Sequence, residues 1–153
     1  MTKQYIGTKI ISAKPMNKAE YCAYRGWQVP ADEDPNGEGY LVEYHDGGAP
    51  NHPDHKGYIS WSPKDVFEAA YISIGHVGHF EPWVQRLAGE KAELDGRLSK
   101  LDAALANADF LHMQETKRAL LMRQSAAMHA YSQILSERLA AAGVGVSGDY
   151  SAG

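Results

Sequence analysis

Two stretches in the second half of the chain decide the fold: VQRLAGEKAELDGRLSKLDAAL (84–105) and LMRQSAAMHAYSQILSER (121–138). Alternating spacings of three and four residues relate Val84, Leu87, Lys91, Leu94, Leu98, Leu101 and Leu105 in the first stretch. The same spacings relate Leu121, Gln124, Met128, Tyr131, Leu135 and Arg138 in the second. Such heptad seams predict two packed helices, with a chain reversal over residues 107–114. The sequence therefore predicts an antiparallel helical hairpin over residues 80–142.

The first half of the chain has a different character, because ten of the fifteen aromatic residues and six of the seven prolines lie within the first 71 positions. Aromatic and β-branched residues favour strands. Strands are predicted over residues 5–13, 40–44 and 58–61, and short helices over 18–24 and from Ser62-Pro63 to about 71. The predicted fold class is α+β: a small antiparallel sheet with short helices, followed by a C-terminal antiparallel two-helix hairpin.

The domain organisation follows from the same contrast between the two halves. Residues 1–74 are predicted to form a β-rich aromatic module, residues 80–142 the hairpin, and the Gly- and Ser-bearing residues 143–153 a flexible tail. A bare two-helix hairpin buries too little surface to be stable alone. We therefore expect a homo-oligomer, from a dimer to a hexamer, that covers the apolar seams.

Composition narrows the classes of function. The 153 residues are 44% hydrophobic and 22% charged, which excludes a disordered chain, and the net charge of −4 argues against a protein that coats DNA or RNA. No apolar stretch approaches the roughly 18 residues that a membrane-spanning helix needs. The single cysteine, Cys22, cannot form an internal disulfide, so a reducing cytoplasm is expected.

Metal binding and catalysis are weakly supported. His52 and His55 are three residues apart, as are His76 and His79, and such pairs can bind zinc when the fold supplies further ligands. Both pairs lie in Gly- and Pro-rich loops, however, so exposed histidines are the favoured interpretation. No nucleophile elbow, Walker A loop or dinucleotide fingerprint occurs in the sequence. We expect no catalytic residues, no resident metal and no cofactor.

The polar residues within the heptad seams have two interpretations. Lys91, Gln124 and Arg138 either control register and extend to solvent, or form an anion site with neighbouring cations and aromatic rings. In the second interpretation, arginines and the lysine face phosphates while an aromatic ring stacks on a base. The candidate ligand-binding residues are Arg86, Lys91, Phe110, Arg123, Gln124, Tyr131 and Arg138.

Several strings in the chain resemble known phage proteins. YIGTKIISAKPM, RGW, EGYLVEYHDGG and GYISWSPKDVFEAAY, within residues 5–71, resemble an N-terminal module of small phage and prophage proteins. EPWVQRLAGEKAELDGRLSKL and RQSAAMHAYSQILSERL resemble a short helical-hairpin family that is also found in phages. A small sheet followed by two helices is similar to phage anti-Thoeris proteins, and the hairpin resembles anti-CBASS sponges.

This resemblance implies a function. It implies a phage-encoded anti-defence protein in the host bacterial cytoplasm that binds a cyclic oligonucleotide or a cyclic ADP-ribose isomer and sequesters it without cleavage. The alternative is a protein-interaction module whose hairpin docks onto a host or phage protein. The resemblance does not choose among the nucleotide signals.

Overall fold

The computed structural model describes residues 1–145 and divides the chain into two compact units, Met1–Tyr71 and a second that begins at Ile72. The fold class is α+β, as the sequence predicts. The elements are β1 (Ile11–Pro15), α1 (Lys18–Arg25), β2 (Gly39–Tyr44), β3 (Tyr58–Pro63), α2 (Lys64–Ala70), α3 (Pro82–Ala106), a 3-10 turn (Ala108–His112) and α4 (Glu115–Ala141). Of the predicted tail, residues 146–153 lie outside the described part of the chain.

The sheet of the first unit is antiparallel, and β2 is its central strand, between β1 and β3. Ile11 pairs with Tyr44 at one end of the β1–β2 ladder, and Pro15 pairs with Tyr40 at the other. The predicted strand over residues 5–13 therefore has the wrong bounds. Because β2 ends at Tyr44, no strand backbone remains for residues 5–10 to pair with.

Helix α1 packs on one face of this sheet. Asn17 and Glu20 form the capping box that the sequence predicts, and Gly26 ends the helix with a left-handed φ of 72°. Tyr21 of α1 is buried against Leu41 and Ile59, which lie on neighbouring strands. The core of the first unit therefore lies between α1 and the sheet.

Helix α2 packs on the opposite face of the sheet and begins one residue later than predicted. Tyr40 points away from α1, and its ring stacks on Phe67 of α2 at a centroid distance of 4.1 Å. The expected cap, Ser62, belongs instead to β3, where it pairs with Tyr40. Pro63 consequently occupies the N-cap position, and no side chain of residues 1–145 caps the helix.

Hydrogen bonds attach the long loop between β2 and β3 to α1. His55 Nε2 lies 2.7 Å from the Tyr24 hydroxyl, and His55 Nδ1 lies 3.2 Å from Glu43 Oε1. The imidazole of His52 stacks on the Tyr24 ring. Burial raises the pKa of Glu43, but hydrogen bonds from the Gly57 N–H and from His55 outweigh it and hold the pKa below its ordinary value.

The second unit is an antiparallel pair of helices with an apolar cluster at its open end. Val84 and Leu87 near the start of α3 pack with Leu135 and Leu139 near the end of α4, and Val77 of the preceding segment completes the cluster. The left-handed φ of 88° at Gly143 terminates α4 and lets the Val144 N–H donate to the Leu139 carbonyl. Among the described residues, no helix combines the length and the apolar character that crossing a membrane requires.

Close packing between Gly39 and Trp61 makes one glycine of the sheet irreplaceable. The Trp61 indole N–H donates to the Met16 carbonyl at 2.7 Å, which holds the ring across Gly39. A Cβ atom at Gly39 would lie 2.4 Å from the Ser62 carbonyl oxygen and 2.4 Å from the Trp61 ring. Since one of these neighbours is backbone, a side chain at this position forces the strands apart.

We expect Gly39→Ala to destabilise the first unit by roughly 1–3 kcal/mol, the usual range for overpacking. Chemical denaturation followed by tryptophan fluorescence measures the change. Gly7→Ala is the matched control, because a Cβ at Gly7 meets nothing within 4 Å. Equal stabilities of the two variants would contradict the close approach.

Candidate ligand site on the helical hairpin

The residues of α4 that face α3 form one stripe, called here the inner stripe. It consists of Leu121, Ser125, Met128, Ser132, Leu135 and Leu139, all buried or half-buried. The predicted seam used Gln124, Tyr131 and Arg138 instead, and this part of the prediction is wrong because all three side chains are exposed. Two serines occupy seam positions that the sequence pattern assigned to larger residues.

The first of these serines belongs to a polar layer in the middle of the hairpin. The Ser132 hydroxyl donates to Asp95 of α3, and the Lys91 ammonium donates to Asp95 at 2.7 Å and to Ser132 at 3.0 Å. Lys91 is half-buried, and its ammonium bonds to Asp95 and Ser132 inside the hairpin. Partial burial raises the pKa of Asp95, but its bonds with Lys91 and Ser132 outweigh burial and lower the pKa below 3.8.

A second polar layer lies one heptad away. The buried Ser125 hydroxyl donates to Asp102 at 2.7 Å, and His129 Nε2 lies 2.8 Å from the other oxygen of Asp102. The hydrogen bond from Ser125, aided by His129, lowers the pKa of Asp102. Each layer therefore combines an aspartate of α3, a serine of α4 and one basic side chain.

The neighbouring face of α4 is exposed and forms a second stripe, called here the outer stripe. Its members are Leu120, Gln124, Ala127, Tyr131, Ile134 and Arg138. Each of them precedes an inner-stripe residue by one position, or about 100° around the helix. Leu120 and Ile134 are 56% and 53% exposed, so α4 presents apolar side chains to solvent as well as to α3.

Four of the seven predicted site residues lie on or beside the outer stripe: Arg123, Gln124, Tyr131 and Arg138. An open depression on the surface of α4 is lined by Leu120, Arg123, Gln124, Ala126 and Ala127. Within the described residues, neither Arg123 nor Arg138 makes an ion pair. This face therefore carries unpaired cations, an amide and an aromatic ring together.

The other predicted site residues lie elsewhere. Arg86 is exposed on α3, Phe110 is half-buried in the 3-10 turn, and Lys91 belongs to the polar layer. Sequence reasoning did not select Asp102, Ser125 or His129 as members of a polar cluster. The signal that identifies the layers is the matched interval of seven residues between the two aspartates and between the two serines.

The predicted histidine pair of the first unit takes part in hydrogen bonds. His52 and His55 are half-buried and contact Tyr24 and the acidic residues Asp54 and Glu43, so the expectation of exposed histidines is wrong for this pair. In residues 1–145, no group of three or more His, Cys, Asp or Glu side chains is arranged to hold a metal ion. These histidines attach a loop to α1.

The helical hairpin matches a known protein family. Residues 81–141, which cover α3, the turn and the whole of α4, match the model of the Sequestin family. The name of that family indicates sequestration of a molecule, which is consistent with a binding role for the hairpin. Searches of curated proteins and of solved structures gave no match to the chain.

We expect Asp95→Asn to destabilise the hairpin by about 1 kcal/mol at neutral pH, because Lys91 loses its countercharge in a partly exposed site. The effect should vary with pH. A carboxylate with a lowered folded-state pKa stabilises the fold above its ordinary pKa near 3.8 and loses that contribution as the pH falls through the lowered value.

Denaturation midpoints measured between pH 2 and pH 7 test this expectation. The free energy of unfolding should fall less steeply below about pH 4 in Asp95→Asn than in the unchanged protein. Glu90→Gln, on the exposed face of α3, is the matched control and should follow the unchanged protein. Parallel curves for all three proteins would show that Asp95 is not stabilised by its partners.

Proposed function

We propose that the protein binds a cyclic nucleotide immune signal, a cyclic oligonucleotide or a cyclic ADP-ribose isomer, and sequesters it without cleaving it. The ligand site is the outer stripe of α4 together with Arg123. The observation that carries this proposal is that Arg123, Gln124, Tyr131 and Arg138 lie along one exposed side of α4, where neither arginine makes an ion pair with any described residue. The Sequestin match over the same helices supports a sequestering role.

The chemistry of these side chains suits a phosphorylated ligand with a base. An arginine guanidinium binds phosphate oxygens through paired N–H donors. The Gln124 amide offers both donors and an acceptor to a base edge, and the Tyr131 ring, 40% exposed, offers a stacking surface. Arg123 and Tyr131 are eight residues apart, or about 12 Å along the helix, a span that suits a ligand of nucleotide size.

Sequestration requires a high affinity for the nucleotide and a sufficient amount of the protein, but it requires no reactive group. A protein that sequesters a signal lowers its free concentration by mass action, so the outcome depends on affinity and on the amount of protein. The resemblance to phage anti-defence proteins suggests where this activity acts. In an infected bacterium, sequestration removes the signal that activates the immune effector.

A second candidate function is docking onto a protein. The apolar members of the outer stripe, Leu120 and Ile134, favour it, because an exposed apolar face is typical of interaction surfaces. The two functions differ in their small-molecule binding. A docking module binds no nucleotide, and its partner binding is lost when Leu120 or Ile134 becomes charged.

We expect Arg123→Ala and Tyr131→Ala each to weaken nucleotide binding by roughly 10- to 100-fold, the cost of losing charge-assisted hydrogen bonds or a stacking surface. Calorimetric titration with cyclic di-AMP, cyclic GMP–AMP and cyclic ADP-ribose measures the effect. Arg97→Ala, an exposed arginine of α3, is the matched control and should bind as the unchanged protein does.

The fate of the bound nucleotide distinguishes sequestration from catalysis. Complexes are denatured, and the released nucleotide is analysed by chromatography. Recovery of the intact nucleotide supports sequestration, whereas a chemically altered one would establish an enzyme instead. A complete absence of binding across the three nucleotides would favour the docking function.

A further inference from the structure

The two edges of the sheet in the first unit differ in how their backbone groups are satisfied. In an antiparallel sheet, alternate residues of an edge strand direct their N–H and C=O groups away from the neighbouring strand. On β3 the outward groups of Ile59 are both bonded by the Asn51 side chain, whose amide nitrogen donates to the Ile59 carbonyl and whose oxygen accepts from the Ile59 N–H, each at 2.8 Å. The loop between β2 and β3 therefore closes this edge to another strand at Ile59.

The outer edge of β1 has no such cover. The Met16 N–H donates to the Gly39 carbonyl, and this bond sets the alternation along β1, so that Ile11 and Ala13 direct their N–H and C=O groups away from β2. No hydrogen bond within residues 1–145 involves these outward groups. The edge of β1 is therefore open to another strand.

The residues that precede β1 favour a strand but have no strand to pair with in their own chain. The string YIGTKI, residues 5–10, contains the β-branched and aromatic side chains that favour strands. Tyr5 and Ile6 are 88% and 79% exposed. A strand-forming segment with exposed apolar side chains, next to an open edge, is typical of a surface that pairs with a strand of another molecule.

We propose that β1 extends back to residue 5 and pairs in antiparallel orientation with the same strand of a second copy, so that two three-stranded sheets join into one sheet of six strands. Residues 5–9 of each copy then cover the outer edge of residues 11–15 of the other, and the dyad falls at Ile10. This interface belongs to the first unit and does not depend on the nucleotide site proposed for α4.

The side chains along this segment suit pairing with themselves in that register. Ile10 lies opposite Ile10 of the other copy, Thr8 lies opposite Ser12, and Tyr5 lies opposite Pro15. Pairs of apolar side chains and pairs of hydroxyl side chains across neighbouring strands stabilise a sheet. The segment of one copy is therefore a fitting partner for the open edge of the other.

Neighbouring registers fit less well. A dyad at Lys9 places two lysines directly opposite each other, and like charges in that position destabilise a sheet. A dyad at Ile11 leaves Tyr5 and Ile6 beyond the end of β1. A dyad at Thr8 covers β1 with residues 1–5, a stretch in which lysine and glutamine replace β-branched residues. The dyad at Ile10 avoids all three disadvantages.

The lysines near this edge do not obstruct it. Lysines on an edge strand commonly prevent pairing with another strand. Here, however, Lys9 Nζ lies 4.6 Å from the centre of the Tyr44 ring, and Lys14 Nζ lies 5.9 Å from the centre of the Tyr24 ring. Because both ammonium groups lie over aromatic rings of their own chain, the backbone edge remains accessible.

Disulfide cross-linking of the full chain tests this pairing at single residues. In the proposed register the two Ile10 residues form a pair without backbone hydrogen bonds, whose Cα atoms lie about 4.5 Å apart, within the range that a disulfide spans. Ile10→Cys should therefore form a disulfide-linked dimer under mild oxidation. The unchanged protein should form none, because its cysteine, Cys22, is buried.

Thr8→Cys is the matched control. The two Thr8 residues lie four positions out of register, or about 13 Å along the strand, which is too far for a disulfide. Ile10→Cys should cross-link at least tenfold faster than Thr8→Cys. A mixture of Thr8→Cys and Ser12→Cys should form a mixed disulfide, because Thr8 lies opposite Ser12 of the other copy. A dimer held together at another surface does not produce this pattern.

Gly7→Pro, added to Ile10→Cys, provides a second test. Proline removes the N–H that pairs with Ala13 of the other copy, and a Cβ at Gly7 meets nothing within 4 Å, so the fold of each chain is unchanged. Cross-linking should slow by at least tenfold.

Three outcomes would overturn the inference: no disulfide in Ile10→Cys, equal rates for Ile10→Cys and Thr8→Cys, or no effect of Gly7→Pro. None of them bears on nucleotide binding by α4, so this inference and the proposed function are tested separately.

Discussion

Hydrogen bonds from two serines of α4 to two aspartates of α3 fix the register of the hairpin, and this register decides which side chains of the two helices face each other. A leucine seam tolerates a slip of one heptad, because leucines then meet similar leucines. The polar layers do not. A slip that pairs Asp102 with Ser132 sets Asp95 against Leu139, so Asp95 loses its serine donor and faces an apolar side chain instead, which is costly.

The polar layers also decide which cationic side chains of the hairpin remain exposed. The Lys91 ammonium neutralises Asp95 of its own helix and donates to Ser132 of α4, so it helps to hold the two helices together. The arginines beside the outer stripe have no such partner in the described residues. The two neighbouring stripes of α4 therefore differ in role. The inner stripe packs on α3, and the outer stripe presents charged, amide and aromatic groups to solvent.

Much of the fold could be predicted from local sequence signals. The capping box at Asn17, the alternation around Val42 and the leucine spacing of α3 each specify an element by short-range chemistry. Which face of α4 packs on α3 could not be predicted in this way. Both stripes carry apolar residues with a helical period, and that period does not distinguish between them. Only the hydrogen bonds to Asp95 and Asp102, which depend on the partner helix, make Ser125 and Ser132 the inward residues.

The uneven distribution of apolar contacts along the hairpin determines where it opens. Its buried leucines lie at the open end and in the middle, whereas Leu105, Phe110 and Met113 around the connecting turn are half-buried. Local unfolding requires the least free energy where the fewest apolar contacts are lost. Backbone amides near the turn should therefore exchange their hydrogens with water first, and exchange should slow toward the termini, so that the covalently joined end of this hairpin is its looser end.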